Sequence, residues 1–286
     1  MFSWLKRRRS VSQYTHQAPL PPVVIFHHIA KTGGTSLRKV VQANYRGKKL
    51  LELYGPGRGS VQWYDNYYHS LSKRRKAEIQ CIAAHSAHYL IPIIDRPFQV
   101  FTLLRDPVER VISLYYFTKI LVRKNKGRGA EIGLELKKLG WELEDIFVNI
   151  GLKGGGSEEQ RMLFAPFFNG QSRAILKPHV DVGFALMVQG VPTQVEPLQT
   201  QLREIVQAHY IVGVTEQYET SVHYFAQIFG WHRVFFEYRN KTKKRPRQDD
   251  FTSDVLDLIR SFNQVDAVLH NQAREELAGL IERPAR

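Results

Sequence analysis

The segment from Val23 through Ser36 admits few folds. Val23, Val24, Ile25 and Phe26 are apolar and rich in β-branched residues, the pattern of a buried strand. His27-His28-Ile29-Ala30-Lys31-Thr32-Gly33-Gly34-Thr35-Ser36 follows directly. Two adjacent glycines let the backbone turn tightly, and Thr35 or Ser36 can cap a helix carrying Leu37, Val40 and Val41 on its apolar side. A strand, a glycine turn and a helix N-terminus aim free N–H groups and the positive end of a dipole at one point. Lys31 and the hydroxyls of Thr32, Thr35 and Ser36 add charge and donors around that point. The pattern therefore predicts a phosphate-type anion site. An ordinary strand–turn–helix with surface polar residues is the plain alternative, and Lys-Thr-Gly-Gly-Thr-Ser placed directly after an apolar strand weighs against it.

The order of the parts narrows the anion. The loop of nucleoside-triphosphate enzymes reads G-x-x-x-x-G-K-[ST], with its lysine after the last glycine. Here Lys31 precedes Gly33 and Gly34, and no glycine lies between Val23 and Lys31. The dinucleotide fingerprint G-x-G-x-x-G is missing as well. The turn is thus a relative of the P-loop with its parts rearranged.

A second segment has similar form. Phe98 to Leu104 reads as an interior strand ending at Arg105-Asp106-Pro107. Pro107 suits the first turn of a helix and Asp106 its cap. Val108, Val111, Ile112 and Tyr115 then recur at helical spacing. Arg105 would stand at the C-terminal end of a strand, where open α/β sheets bind ligands. Ser113, two turns along the helix, could serve the same ligand. A structural ion pair of Arg105 with Asp106 or Glu109 is the alternative role.

Strand and helix patterns alternate along the chain: strands near Val23, Ile79, Phe98 and Tyr210, helices from Thr35, Val108 and Glu216. That alternation predicts an α/β fold, a mostly parallel central sheet flanked by helices with P-loop-like architecture. Residues 1–22 read as a flexible basic N-terminal arm, and 23–286 as a single α/β domain. Between Lys124 and Gln189 the pattern gives way to glycine-rich loops (Gly127, Gly129, Gly154 to Gly156) and helical patches near Trp141 to Ile150. Thr252 to Ile281 carries one long helical stripe.

The net charge of +14 points to anionic ligands or partners. Charge alone also admits nucleic acid, although no motif supports it. The single cysteine, Cys81, excludes an intramolecular disulfide, and its apolar surroundings read as a packed thiol. No Cys/His spacing suggests a zinc site. No run approaches the ~20 apolar residues of a membrane helix, so the expectation is a soluble, cytoplasmic protein, with peripheral membrane contact through Lys6 to Arg9 a weaker option.

Taken together, the two ligand segments resemble the carbohydrate sulfotransferases that use 3′-phosphoadenosine 5′-phosphosulfate (PAPS), notably the heparan-sulfate 2-O/6-O type and its bacterial relatives. In that family His-Ile-Pro-Lys-Thr-Gly-Gly-Thr-Ser grips the 5′-phosphosulfate, and His28 to Ser36 is similar, with Ala30 in place of the proline. Arg105-Asp106-Pro107 and Ser113 resemble the motif that grips the 3′-phosphate. Val212 to Tyr218 and Asn240 to Pro246 are looser likenesses. The resemblance implies PAPS as co-substrate, no metal, and a hydroxyl acceptor, a glycan or glycolipid. It also implies that the basic segment Arg239 to Arg247 closes over the nucleotide, with Lys243 and Arg245 as candidate contacts, and that Gln160 and Arg161 line the acceptor side unless they are surface residues.

Sulfuryl transfer requires in-line geometry, neutralisation of the leaving phosphate and a base for the acceptor proton. Lys31 is the candidate for neutralisation. The family's catalytic histidine sits at a strand end, usually after glycine. His85, which follows Ile79 to Ala84, is the better match, with His88 in reserve and His27 and His28 as rivals on the first strand. The expected function is a PAPS-dependent sulfotransferase. A kinase-like P-loop phosphotransferase and a non-catalytic nucleotide or nucleic-acid binder are the competing classes.

Overall fold

A computed structural model describes residues 20–55, 60–123, 127–176, 192–236 and 246–281, without the side chains of 192–195 and 280–281. Among the described residues five strands form one sheet: β1 (Val23–His27), β2 (Leu50–Leu53), β3 (Cys81–Ala84), β4 (Phe98–Leu104) and β5 (Tyr210–Val214). Their order is β2-β3-β1-β4-β5, and every pairing is parallel. The helices are α1 (Gly34–Asn44), α2 (Val61–Ser70), α3 (Lys73–Glu78), α4 (Pro107–Val122), α5 (Gly127–Leu139), α6 (Leu143–Ile146), α7 (Glu158–Phe164), α8 (Gly170–Leu176), α9 (Pro192–His209), α10 (Tyr218–Phe229), α11 (Ser253–Ser261) and α12 (Gln264–Ile281). This is the α/β architecture that the alternating pattern implies.

Strand parity assigns the two faces. Phe26, Cys81, Ala83, Phe101 and Leu103 pack against Leu37, Val40 and Val41 of α1 and Val222 and Phe225 of α10. Ile25, Ile82, Ala84, Val100 and Leu104 face the other way, toward Tyr64 and Tyr68 of α2, Leu198 and Leu202 of α9, and Val265 and Leu269 of α12. Because both faces are covered, these strands read as nearly continuous apolar runs. A third cluster joins α4, α5, α6, α7 and α11 around Phe147, Phe164, Phe168 and Phe262.

Connectivity sets the ligand end. From β1 the chain passes through α1 to β2 on one side of the sheet, whereas from β4 it passes through α4 and later helices to β5 on the other. β1 and β4 are neighbours, so their connections diverge between them, and such a switch point opens a crevice at the strands' C-terminal ends. In register, Phe26 lies beside Phe101, and the hydroxyl of Thr102 donates to the His27 carbonyl at 2.7 Å. Beyond that level β4 continues through Leu103 and Leu104 with β5 alone as its strand partner.

Several local expectations change. β2 is absent from the sequence reading because Leu-Leu-Glu-Leu is too short to establish a period. The strand near Ile79 begins at Cys81, and the helix expected from Glu216 begins at Tyr218 after a 3₁₀ turn. Gly127 and Gly129, expected in a loop, lie in α5. At Gly129 the reason is packing: a Cβ there would stand 2.5 Å from a Leu121 methyl, and one on Gly133 2.6 Å from the Thr118 carbonyl oxygen, whereas Gly127 opens the helix at positive φ with nothing against it. Glycine lets α5 approach α4 closely. The stripe over Thr252 to Ile281 divides at Phe262-Asn263, where the buried Asn263 amide donates to Phe167 O and Ile259 O.

Gly133→Val should force α4 and α5 apart and lower stability by about 1–3 kcal/mol, the usual range for overpacking. Denaturant melts of the variant check this; an unchanged midpoint would contradict the close-approach role.

Candidate active site at the β1–β4 switch point

The turn after β1 is built on left-handed backbone. Lys31 (φ 72°) and Gly33 (φ 80°) both take positive φ, which costs a non-glycine residue such as Lys31 roughly 1–2 kcal/mol. Gly33 is the N-cap of α1 and offers no side-chain acceptor. Thr35 and Ser36, read from the sequence as possible caps, therefore lie inside the first turn. The two positive φ values bring the chain into the helix earlier than a Thr or Ser cap would. The Ser36 N–H turns back on Gly33 O at 3.1 Å, and no cap side chain takes the N–H groups of Gly34 and Thr35, which suit an acceptor from outside the helix. Gly34 is a glycine for contact: a Cβ there would meet the His28 ring at 2.1 Å.

Hydrogen bonds brace this turn from two sides. The buried Thr32 hydroxyl donates to Ile29 O at 3.0 Å, so its proton is committed within the loop. Thr215 follows β5, and its hydroxyl lies 2.7 Å from Thr32 O and 2.8 Å from Leu104 O, tying the turn to the end of β4. Thr35 is exposed and Ser36 buried. The Lys31 ammonium lies over the ring of Phe117 on α4, 3.7 Å from its centroid. Phe117 is one helical turn beyond the buried Ser113, so Lys31 and Ser113 meet the same side of α4.

Arg105 arrives from β4. Its Nη1 donates to Lys31 O at 3.4 Å and its Nη2 to Glu109 at 2.9 Å. The two strand ends thus converge on one place, and the ion pair to Glu109 foreseen as an alternative role forms as well. Asp106 caps α4 by accepting from Glu109 N at 2.9 Å, with Pro107 in the first turn as read from the sequence. The Asp106 N–H donates to Glu216 at 3.0 Å, and the other Glu216 oxygen meets His270 Nε2 at 2.9 Å. Burial pushes the Glu216 carboxyl up, but His270 and the Asp106 N–H outweigh it and hold the group below its ordinary value. Arg110, 2% exposed, donates to Ala30 O at 3.2 Å and Pro166 O at 3.0 Å. Burial draws its pKa down while Asp266 opposes the shift.

A histidine cluster occupies the β3 side. His85 is exposed just beyond the end of β3, and its Nδ1 lies 2.7 Å from His28 O. A carbonyl only accepts, so Nδ1 carries the proton and Nε2 of the neutral ring is a free base. Desolvation and the nearby Arg38 charge pull the His85 pKa below its ordinary value, and the bond to His28 O opposes them. Its open face stays hydrated, so the pull is weaker than on the buried rings. His28 stands 4.3 Å from His85 between ring centroids and 3.3 Å from the Tyr54 hydroxyl through Nδ1. Arg38 stacks over Tyr54 at 4.1 Å and pairs with Glu52 at 2.6 Å.

The other histidines are packed. His27 is fully buried, with Nδ1 3.1 Å from the Tyr210 hydroxyl. Burial and then the His85 charge lower its pKa to about 3. His28 is lowered well below its ordinary value for the same two reasons. His88 is buried on the 3₁₀ turn Ala87–Leu90, against His27 and Tyr89. Cys81 is buried in β3, and burial pushes its thiol upward, as its apolar context suggests.

Gln160 and Arg161 hold local structure. Gln160 closes a capping box with Ser157 and donates to Glu135, while Arg161 donates to Gly156 O. Lys243 and Arg245 lie outside the described residues. Among the described residues no group of three or more His, Cys, Asp or Glu is placed to hold a metal, and no helix is long and apolar enough to cross a membrane. The sequence reading missed Gln171, and it gave no role to Thr215 and Glu216 within the Val212 to Tyr218 likeness or to Arg110 beside the Arg105-Asp106-Pro107 motif. Thr215-Glu216 directly after an apolar strand is the signal that could have singled out that pair.

Between pH 6.5 and about 3 an unfolded chain protonates a histidine that the folded protein keeps neutral at His27. Stability should therefore fall as pH drops through that window, by up to ~1.4 kcal/mol per pH unit for each such histidine. His27→Gln should flatten the dependence in urea melts at pH 7.5, 6.0 and 5.0, and an equally steep profile would exclude His27 as a cause.

No protein-family model matches the chain, and no curated protein matches it. Among solved structures the chain is similar to a sulfotransferase from Alicyclobacillus acidocaldarius, with 14% sequence identity and a TM-score of 0.43 over 93% of this chain and 97% of that one. At that level the likeness decides neither family nor chemistry.

Proposed function

We propose that the protein is a sulfotransferase that moves a sulfuryl group from PAPS to a hydroxyl of a carbohydrate or glycoconjugate, with His85 as general base. The observation that carries this reading is the convergence of the Arg105 guanidinium on the Lys31 carbonyl, beside a histidine whose Nδ1 proton is committed to His28 O. A donor with phosphate groups on the 3′ and 5′ positions of one ribose calls for two cationic contacts on one ligand, for which Arg105 and Lys31 at the ends of β4 and β1 are the candidates. The cradle fits such a group: no cap side chain occupies the glycine-capped start of α1, where the N–H groups of Gly34 and Thr35 can meet an anion.

In this reading Lys31, Gly33, Gly34, Thr35 and Ser36 hold the 5′-phosphosulfate, with Thr32 bracing the turn, and Arg105 and Ser113 take the 3′-phosphate. Lys243 and Arg245 are further candidates for the nucleotide. The donor supplies the sulfuryl group: the acceptor oxygen bonds to sulfur as the sulfur–oxygen bond to the 5′-phosphate breaks. Nε2 of His85 takes the hydroxyl proton, and Lys31 with the first-turn N–H groups meets the charge left on the phosphate. A side chain leaving Glu109 for a phosphate exchanges one charge-assisted bond for another, so Glu109 competes with the ligand for Arg105.

Calorimetry should show binding of adenosine 3′,5′-bisphosphate in preference to ATP with magnesium; the reverse preference would favour a kinase-like enzyme. Arg105→Ala should weaken bisphosphate binding by about 2 kcal/mol or more, whereas Glu109→Gln should strengthen it. His85→Ala should retain bisphosphate binding and lose at least ~100-fold in transfer of labelled sulfate to glycan acceptors. With His85 as base, wild-type kcat/KM should fall as pH drops through a value below the ordinary histidine pKa. Full turnover in His85→Ala would move the base elsewhere.

A further inference from the structure

We infer that Gln171 is the positioning residue that aims Arg105 at the anion site, an inference that rests on the proposed function. Arg105 follows the last residue of β4, beyond the level where β1 pairs with that strand. Its backbone N–H and C=O therefore need partners other than β1. Both are taken by one side chain: Gln171 Oε1 accepts from Arg105 N at 2.9 Å, and Gln171 Nε2 donates to Arg105 O at 2.8 Å. A primary amide is the side-chain group that reproduces a strand's donor and acceptor side by side, so Gln171 extends the ladder by one residue.

The clamp is itself held. Gln171 is fully buried in the first turn of α8, and its own N–H donates to Asp266 at 3.0 Å, with Ser172 N donating to the other Asp266 oxygen at 2.7 Å. Asn169, just before α8, returns the arrangement by accepting from Val265 N at 3.0 Å and Asp266 N at 3.1 Å. α8 and α12 thereby cap one another, and the buried amide between them has little freedom to turn. With its backbone held at both polar atoms, Arg105 starts from a fixed point, from which its guanidinium reaches Lys31 O and Glu109. Gln171 touches neither guanidinium nor ligand. It acts through the backbone of Arg105.

A double-mutant cycle separates this role from general support of the fold. Adenosine 3′,5′-bisphosphate affinity is measured by calorimetry in the wild type, Gln171→Ala, Arg105→Ala and the double variant, with thermal unfolding of each. Gln171→Ala should weaken binding by ~10-fold or more in the wild-type background and by less than ~2-fold once the guanidinium is gone, because interacting residues are not additive. Equal losses in both backgrounds would overturn the inference while leaving the function standing. If Gln171→Ala does not fold, Gln171→Glu replaces it; that variant keeps the shape and an acceptor for Arg105 N–H but sets a carboxylate oxygen against Arg105 C=O. Failure of the folded wild type to bind the bisphosphate would overturn the inference and the proposed function together.

Discussion

The peptide groups where β4 runs past β1 impose the constraint around which the site is assembled. A buried N–H or C=O without a partner costs about 1–3 kcal/mol, so each strand end that reaches into the protein must be met by something. Thr102 reaches across to His27 O, Thr215 joins Leu104 O to Thr32 O, Glu216 receives Asp106 N–H, and Gln171 receives Arg105. Together these bonds bring two separately encoded strand–turn–helix units into one site. They also explain why α8, α12 and the segment after β5, remote in sequence, take part in holding it.

Charge around the site is balanced by pairs with distinct consequences. Arg38 is anchored by Glu52, whose carboxylate also accepts from the Gln42 amide, and its positive field acts on His28 and His85. Desolvation of the two histidines on β1 and its extension adds to that field, so the cluster is neutral near pH 7. A neutral ring with a fixed tautomer is able to accept a proton, and a cluster of charged imidazoles beside Lys31 would not be. Arg105 is balanced differently, with Glu109 directly on its guanidinium at 2.9 Å.

Much of this was legible along the chain. The apolar run Val23 to Phe26, the Gly33-Gly34 turn, and Asp106-Pro107 at a helix start are local signals, and all three take the expected conformations, apart from the cap of α1. Alternation of strands and helices suffices for a parallel α/β sheet because a parallel strand needs a crossover connection. β2 gives no clear signal because its four residues, three of them leucine, are too few to distinguish a strand from a helical segment. Gly129 reads as loop because glycine has a low helix propensity, whereas contact with α4 rewards the missing side chain.

Backbone preferences and apolar periodicity act within a few residues, and they were enough for the strand–turn–helix units, the class of fold and the glycine turn after β1. Which unit stands next to which depends on strand order and register, set by the packing of Phe26 on Phe101 and by crossovers spanning many residues. The nearness of Arg105 to Lys31, the tautomer of His85 and the amide clamp of Gln171 all follow from that assembly. Each is a bond between residues far apart in the chain, and a linear pattern carries no record of the hydrogen-bonding partner that burial will demand.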